Sequence, residues 1–365
     1  MMNIRDKLQE KWASDLYCNN VSGRGIAHLC PRAGKIRTSI KFFENLKAQW
    51  KTNVLKVLIC YPDKNIQKSW EDDFKAVNYD TSDVDYITHV SLGKVKGYTY
   101  DVIIIDEIHL LSAKQKSETK RLISENKSGY TIGLSGTLSE KTEIELRTEL
   151  GMPVITEYTI EQAIQDGIIS DYRINVIKVS LDDVQKIYKK NTRTEKAQYR
   201  AYSWVIDKKG HSLMLNLARM RVIHNSLAKT KATIDILDKL RNERTLVFCP
   251  NNKVAKTIGC KLHTSKINNQ ESFEKFIAGK GNNHMAVCKI GNTGVSFKSL
   301  NHIVVNAFDS NSENLTQRIC RSLILDTKDK VSTVYIVCST EKAELNWLEK
   351  SLEFFDPSKI TYHVK

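Results

Sequence analysis

The fold class of this chain is decided by residues 102–109, which read VIIIDEIH. Four β-branched residues in a row predict a strand buried on both faces, as in the middle of a parallel sheet. Asp106 and Glu107 follow where that strand should end, and open α/β sheets bind their ligands beyond the carboxyl ends of the strands. In that position Asp106 can hold a Mg²⁺ ion and Glu107 can orient a water molecule. The alternative is an acidic N-cap of the next helix, since Asp is a favoured capping residue.

A second informative stretch lies upstream at residues 25–35, which read GIAHLCPRAGK. A short strand, a tight turn containing Gly34 and Lys35, and a helix N-terminus would bind phosphate through backbone N–H groups and the lysine charge. The complete phosphate-loop pattern is G-x-x-x-x-G-K-[ST], so Leu29 replaces its first glycine. Ile36 replaces the hydroxyl that normally binds Mg²⁺. Taken together, the two stretches predict a nucleotide-hydrolysing protein.

Further segments with motif-like sequences follow in order along the chain. They lie at residues 57–62 (VLICYP, with Gln67 and Trp70 after it), 88–92 (THVSL), 134–137 (LSGT), 158–169 (YTIEQAIQDGII), 245–250 (TLVFCP), 291–297 (GNTGVSF) and 317–324 (QRICRSLI). With the two stretches above, this order resembles that of the superfamily 2 helicases and translocases of the DEAH/DExH kind, over nearly the whole chain. Within them, the chain is most similar to the branch of phage UvsW-like recombination helicases and restriction-enzyme motor subunits. Its small size and lack of accessory domains suggest a viral or mobile-element origin or a partner that supplies specificity.

The resemblance implies an α/β fold of two tandem RecA-like domains, each a mostly parallel sheet flanked by helices. We place the first domain at residues 1–155 and the second at 156–365, with a basic helical insertion at about 184–230 and an arginine-finger motif at 317–324. The alternation of strand and helix patterns independently predicts parallel, doubly wound sheets. The expected strands lie near residues 26–30, 57–61, 86–90, 102–106, 131–135, 171–179, 245–249, 285–289, 302–306 and 333–338.

The same resemblance assigns roles to individual residues, with ATP and Mg²⁺ as the ligands of a cleft between the domains. The expected nucleotide-binding residues are Gln9 (at the adenine), Arg32, Ala33, Gly34, Lys35, Ile36 and Gly294. The expected catalytic residues are Asp106 (on the metal), Glu107, His109, Gln317 and the finger Arg321. The residues expected to contact nucleic acid or to couple hydrolysis to strand movement are Pro62, Gln67, Thr88, Ser135, Thr137 and Thr293.

The chain departs from the family pattern at three positions. Ile36 removes a metal ligand, Cys320 replaces a glycine, and Ile324 stands where a second finger arginine belongs. An arginine finger contributes several powers of ten to the rate of phosphoryl transfer, so its loss predicts slow hydrolysis. Lys35 and Arg321 remain together with the acidic pair, and we therefore expect the ATPase activity to persist.

Charge and one basic segment indicate a polyanionic partner. The chain of 365 residues has 56 basic and 42 acidic side chains, a formal net charge of +14. This excess favours nucleic acid, although a surface adjusted for solubility is the alternative. Within residues 186–209, cations alternate with aromatic rings, among them Lys189, Lys190, Arg193, Arg200, Tyr202 and Trp204. Such a segment is typical of a contact with a single strand or a junction, or else of a helical insertion whose rings pack on the second domain.

Other functions are disfavoured by the sequence. There is no apolar stretch long enough to span a membrane, and the N-terminus lacks the apolar core of a secretion signal. The eight cysteines are scattered without metal-ligand spacing, which predicts a reducing intracellular setting, in the cytoplasm or with the nucleoid, and no zinc site.

The preferred interpretation is an ATP-dependent DNA helicase or translocase that remodels duplex or branched DNA. A protein partner could supply its specificity, and the oligomeric state stays open. The alternatives are an RNA helicase with the same site and a catalytically weakened nucleic-acid-binding clamp of helicase fold.

Overall fold

The computed structural model describes residues 3–20, 22–181, 185–188, 191–210, 212–264, 269–288, 297–309, 312–327 and 330–365. The chain forms two compact units, Met1–Ile169 and Ser170–Lys365. This division lies after the predicted boundary at residue 155, because the strand Val154–Tyr158 pairs with Arg24–Leu29 inside the first unit. Gly151 and Pro153, residue types that often mark a boundary, here only separate a helix from that strand.

The first unit is one parallel sheet with helices between its strands. The strands are β1 (Arg24–Leu29), β2 (Val57–Tyr61), β3 (Val84–Thr88), β4 (Val102–Asp106), β5 (Tyr130–Ser135) and β6 (Val154–Tyr158). The helices are α1 (Ile4–Cys18), α2 (Lys35–Trp50), α3 (Lys64–Ala76), α4 (Ala113–Glu125), α5 (Glu140–Leu150) and α6 (Ile160–Gln165). The strand order is β3-β2-β4-β5-β1-β6, and every neighbouring pair is parallel.

Strand β4 lies inside this sheet between β2 and β5, and all of its residues are buried. Its Ile103 and Ile105 belong to an apolar cluster with Leu58 and Leu122. Burying an aliphatic side chain of this size contributes roughly 1.5–3 kcal/mol. The continuous β-branched run is therefore required by an environment that is apolar on both faces, as the sequence predicts.

The second unit contains a second parallel sheet and an inserted hairpin. Its strands are β7 (Asp171–Val179), β8 (Gln185–Tyr188), β9 (Asn191–Thr194), β10 (Thr245–Phe248), β11 (Lys261–His263), β12 (His284–Val287), β13 (His302–Val305), β14 (Val331–Ser339) and β15 (Ile360–Val364). Its helices are α7 (Glu195–Lys209), α8 (Leu213–His224), α9 (Leu227–Lys239), α10 (Asn252–Ile258), α11 (Gln270–Ile277), α12 (Ser312–Ile319) and α13 (Lys342–Leu352). The order is β11-β12-β10-β13-β14-β7-β15, with every neighbouring pair parallel.

The predicted α/β class with two parallel sheets is confirmed, but the insertion differs from its prediction. A helical segment was expected from about residue 184, whereas β8 and β9 form an antiparallel pair before α7 begins. The local sequence explains the difference, since Ile187, Tyr188, Thr192 and Thr194 are β-branched or aromatic residues that favour strands. Among the described residues, no helix has the length and apolarity needed to cross a membrane.

Candidate functional site

A phosphate-loop-like turn joins β1 to α2. Arg32 and Gly34 adopt positive φ angles of 77° and 102°, and Lys35 is the first residue of α2. The side chain of Gln9, from α1, is buried against this turn and donates from Nε2 to the carbonyl oxygen of Ala33 at 3.1 Å. The turn therefore presents Lys35 beyond the carboxyl end of β1, as predicted. Gln9 is part of the turn's support, and its reading of adenine stays a prediction.

Lys35 meets the acidic pair at the carboxyl end of β4. Its Nζ lies 2.7 Å from Glu107 Oε1 and 4.0 Å from Asp106 Oδ1. The alternative role of Asp106 as a helix cap is excluded, because α4 begins only at Ala113 and is capped by Ser112. The structure thus brings together the cation and both carboxylates that the sequence separates by about seventy residues.

Asp106 is held by groups that the sequence did not assign to this site. Trp70 Nε1 donates to Asp106 Oδ2 at 3.0 Å, and the Glu107 backbone N–H donates to Oδ1 at 3.0 Å. His89 Nε2 donates to the backbone carbonyl of Asp106 at 2.9 Å. Trp70 and His89 lie in segments expected to contact nucleic acid, yet both are buried. Only their spatial proximity reveals them as supports of a carboxylate.

Burial and neighbouring charges set the protonation states of the site. Burial raises the pKa of Asp106 to about 6, although Lys35 opposes the shift. Burial alone would raise the pKa of Glu107, but Lys35 and His109 together hold it below its usual value. Burial lowers the pKa of His109 to about 4 despite the nearby Glu107. Near neutral pH the site therefore combines a charged lysine, two carboxylates and a neutral imidazole.

A hydrogen-bonded chain leads from the acidic pair to the end of β5. His109 Nδ1 lies 2.8 Å from the hydroxyl of Ser135, and that hydroxyl donates to the carbonyl oxygen of Thr137 at 2.7 Å. The hydroxyl proton is committed to Thr137, so His109 Nδ1 must be the protonated ring nitrogen. A Cβ added at Gly136 would lie 3.4 Å from Lys35 Nζ, which shows that this segment borders the site. The structure thus joins the predicted residues His109, Ser135 and Thr137 in one network.

Three buried polar atoms of this site have no hydrogen-bond partner among the described residues: Glu107 Oε2, His109 Nε2 and Thr137 Oγ1. Such an atom costs about 1–3 kcal/mol if nothing satisfies it, so their concentration here indicates a polar ligand. The donor set fits a phosphate group at Lys35 and a magnesium ion at Asp106, which would keep several waters. The hydroxyl of Thr38 does not replace the one lost at Ile36, since it donates to the carbonyl of Gly34 at 3.2 Å.

The expected nucleic-acid residues of the first unit lie at the same edge of the sheet. Pro62 follows β2, and Thr88 ends β3 with its hydroxyl 3.4 Å from that of Ser91. Gln67, on α3, accepts a hydrogen bond from the Tyr61 hydroxyl at 2.6 Å and donates to Glu71 at 2.7 Å. These residues are placed beside the site by the sheet topology and not by direct contact with Lys35.

The arginine-finger motif spans the end of α12 in the second unit. Gln317 lies in the last turn of this helix, and Arg321 follows it, with its backbone N–H donating to the Arg318 carbonyl at 3.2 Å. Cys320 is buried and has no positive φ, so its backbone conformation does not require the glycine of the family pattern. Arg318 Nη1 donates to the Ala307 carbonyl at 2.7 Å. Thr293 and Gly294 lie outside the described residues.

The basic segment agrees in part with each of its two interpretations. Tyr199 is buried and packs with Tyr202, Val222 and Ile223, as expected of rings that support an insertion. Trp204 is 61% exposed, and Arg193 and Arg200 are exposed as well, as expected of a contact surface. Lys189 and Lys190 lie outside the described residues.

Comparisons with known proteins agree with this architecture. The family model of the helicase conserved C-terminal domain matches residues 228–324. A type I restriction enzyme EcoAI endonuclease subunit of Escherichia coli is 26% identical over 63% of this chain and 30% of its own length. A DNA 3'-5' translocase, XPB2, of Sulfurisphaera tokodaii is 25% identical over 70% of this chain and 65% of its own length. The chain therefore spans about a third to two thirds of the curated relatives it matches.

Two solved structures share the fold of the whole chain. A fragment of a putative HsdR subunit of a type I restriction enzyme from Vibrio vulnificus covers 98% of this chain and 68% of its own, with a TM-score of 0.64 at 15% identity. Dbp5 of S. cerevisiae, bound to RNA and ADP BeF3, covers 98% of this chain and 89% of its own, with a TM-score of 0.61 at 9% identity. The two sheets are thus RecA-like domains in tandem, which gives the fold of a helicase-type nucleic-acid motor. The family model and the curated relatives support the resemblance to the helicases and translocases of superfamily 2. The UvsW-like branch stays a prediction.

Proposed function

We propose that this protein is an ATP-dependent translocase or helicase that acts on DNA. The observation that carries the proposal is the cluster of Lys35, Asp106 and Glu107, with a buried carboxylate oxygen of Glu107 left without a partner among the described residues. A lysine on phosphates, a carboxylate on a metal and a second carboxylate that can orient a water molecule are the groups that phosphoryl transfer to water needs.

Each residue then has one task. Lys35 binds the terminal phosphates, Asp106 holds the metal ion, and Glu107 orients the attacking water and accepts its proton. A magnesium ion, when bound, neutralises charge on the phosphate oxygens. His109 Nδ1 lies 3.6 Å from Glu107 and is hydrogen-bonded to Ser135. A change in the charge of Glu107 therefore acts on His109 and, through it, on Ser135 and Thr137. Gln317 and Arg321 have the roles that the resemblance implies: they stabilise the negative charge that develops on the phosphate and couple hydrolysis to strand movement.

The departures from the family pattern lead us to propose slow turnover. Ile36 supplies no metal ligand, and the Thr38 hydroxyl is engaged within its own helix turn. A metal ion would therefore be coordinated by Asp106 and water molecules. Ile324, which stands in place of the second finger arginine, cannot stabilise charge on the phosphate. Arginine fingers contribute about 10³–10⁵ in rate in related phosphoryl transfers, so hydrolysis should depend strongly on Arg321.

We prefer DNA as the track because both curated relatives are described as DNA-acting or restriction enzymes. RNA is the alternative, since Dbp5 of the same fold is bound to RNA. The net charge of +14 and the exposed cations and tryptophan of the insertion suit either polymer. We further propose that a protein partner supplies sequence specificity.

The deciding experiment is steady-state phosphate release from Mg-ATP, alone and with single-stranded DNA, duplex DNA, forked DNA or RNA. Stimulation by one polymer, lost in Glu107→Gln, identifies the track of a motor. Glu107→Gln keeps the size of the side chain and the nucleotide-binding Lys35, so nucleotide binding should persist while turnover falls at least a hundredfold. A wild-type rate no higher than that of the variant, with polymer binding intact, would favour the clamp alternative.

A further inference from the structure

The second unit contains a cleft of about 610 Å³ between its inserted helices and α10. Its wall includes Tyr202 from α7, Ala218 and Arg221 from α8, Asn225 at the end of α8, and Lys253 from α10. A volume of this size is in the range of about 300–1,000 Å³ that organic ligands occupy in proteins. The cleft uses none of the residues to which hydrolysis is assigned above.

The charges on the wall of the cleft favour an anionic ligand. Arg221 and Lys253 are both exposed on the cleft, and none of the described residues of its wall is an aspartate or a glutamate. Asn225 Oδ1 accepts a hydrogen bond from Asn251 Nδ2 at 2.7 Å, which ties the end of α8 to the loop before α10. Two cations on separate helices therefore line one cleft, where an anion would neutralise both.

The face of α8 that lines the cleft continues beyond it towards the start of the helix. Met214, Ala218, Arg221 and Asn225 are spaced by four, three and four residues, so they lie on the same side of the helix. Met214 is 72% exposed and lies in the first turn of α8. The surface is thus apolar at one end and cationic at the other, with the ring of Tyr202 in its wall.

We propose that this surface, the α8 groove (Tyr202, Met214, Ala218, Arg221, Asn225 and Lys253), binds a segment of a single nucleic-acid strand. Arg221 and Lys253 contact phosphates, while Tyr202 and Met214 lie against bases. This inference rests on the proposed function and names a second strand-contacting surface, contributed by the insertion. A strand fits better than an acidic peptide because it offers both phosphate anions for the cationic end of the groove and flat bases for its apolar end.

The test is a salt titration of strand binding by the full chain in the absence of ATP. A fluorescein-labelled oligothymidylate is followed by anisotropy for the wild type and for Arg221→Gln/Lys253→Gln. Each lost phosphate contact should lower the slope of log K against log salt by about 0.7, so the double variant should lose about 1.4 and bind more weakly at every salt concentration. The matched control is Lys239→Gln/Lys256→Gln, which removes two exposed cations of α9 and α10 outside the groove wall.

A second measurement locates the bases. The wild-type chain is photo-crosslinked to a strand containing 5-iododeoxyuridine, and we expect crosslinked peptides that contain Tyr202 or Met214. An unchanged slope in the groove variant, an equal loss in the control, or crosslinks confined to other peptides would each overturn the proposal. Displacement of the strand by polyglutamate at equal charge would also overturn it, since the groove would then be a site for any polyanion.

The two proposals fail separately. Binding is measured without ATP, so a chain that uses the groove but never hydrolyses ATP contradicts only the motor. A chain whose hydrolysis is stimulated by DNA, but whose binding ignores the groove variant, contradicts only the groove.

Discussion

Asp106 shows how single residues decide this site, because its carboxylate is positioned by a tryptophan. The Trp70 N–H donates to Oδ2 at 3.0 Å from inside the core, and that bond fixes the orientation of the carboxylate that would hold a metal. Loss of such a supporting bond typically costs 10–100-fold in metal affinity or activity. Trp70 is therefore a positioning residue with a measurable effect on the magnesium requirement.

We expect Trp70→Phe to raise the magnesium concentration needed for half-maximal ATP hydrolysis by roughly 10–100-fold, because an aromatic six-membered ring stays in the core while the N–H donor is lost with the rest of the indole. The measurement is ATPase rate against free Mg²⁺ at fixed ATP. Trp50→Phe is the control, since Trp50 is partly exposed at the end of α2 and packs on Tyr130. An unchanged requirement in Trp70→Phe would show that the bond is only structural.

Gly34 is a second residue whose identity the local geometry explains. Its φ angle is 102°, and an added Cβ would lie 2.2 Å from Gln9 Nε2. Gly34→Ala should therefore lower the free energy of unfolding by roughly 1–3 kcal/mol through backbone strain and displacement of Gln9. The measurement is urea denaturation.

Two comparisons separate the causes of that loss. Gly151→Ala has a positive φ of 64° with nothing within 4 Å of the added Cβ, so it reports strain alone. In a Gln9→Ala background the clash disappears, and Gly34→Ala should cost less than in the wild type. Equal costs in both backgrounds would contradict the role given to Gln9.

At the scale of elements, a buried ion pair joins three parts of the second unit. Lys229 of α9 and Glu344 of α13 are both fully buried and paired, and Glu344 also accepts from the backbone and hydroxyl of Ser339 at the end of β14, each at 2.7 Å. A buried charge without its partner is strongly unfavourable. The pair therefore holds α9 and α13 together and fixes both helices against the end of β14.

Lys229→Met should cost about 3–5 kcal/mol of unfolding free energy, because it leaves Glu344 charged and buried. The double variant Lys229→Met/Glu344→Gln should recover most of that loss, since the amide oxygen can still accept from Ser339. Thermal and urea denaturation measure both. Lys275→Met breaks the exposed pair with Glu271 and should change stability by less than about 1 kcal/mol. No recovery in the double variant would mean that the lysine acts by packing.

At the scale of the whole molecule, each unit has its own sheet and its own core. An apolar cluster including Ile103 and Leu58 belongs to the first unit, and one including Val247 and Val304 belongs to the second. Units with separate cores are expected to fold separately. The division at 169/170 therefore predicts where the chain can be cut.

Fragments 1–169 and 170–365 should each unfold cooperatively, as followed by circular dichroism. Mg-ATP should raise the melting temperature of the first and leave that of the second unchanged, because Lys35, Asp106 and Glu107 all belong to the first. Fragment 1–155 is the matched comparison. It lacks most of β6, which pairs with β1, and should melt lower or aggregate through the open strand edge. Equal stability of fragments 1–155 and 1–169 would argue for the earlier boundary.

Much of the fold could be predicted because its signals are local. A buried central strand must be apolar on both faces, so β2, β4, β10 and β13 are recognisable as short aliphatic runs. Edge positions carry no such requirement, and the mostly exposed β15 was not predicted. The strand β6 was missed because Gly151 and Pro153 precede it, and its pairing with β1 is distant in sequence.

The amino-acid sequence by itself determined the two parallel sheets, the acidic pair after β4 and the lysine after β1, since each depends on residue types at short spacing. Tertiary structure alone decided that Trp70 and His89 support Asp106, that Lys35 lies 2.7 Å from Glu107, and that α8 and α10 enclose a cationic cleft. These contacts join residues that are far apart in the sequence, and no periodic pattern of residue types links them. They exist because the sheet brings the carboxyl ends of its strands to one edge, and because the inserted helices pack beside a loop that follows them in sequence.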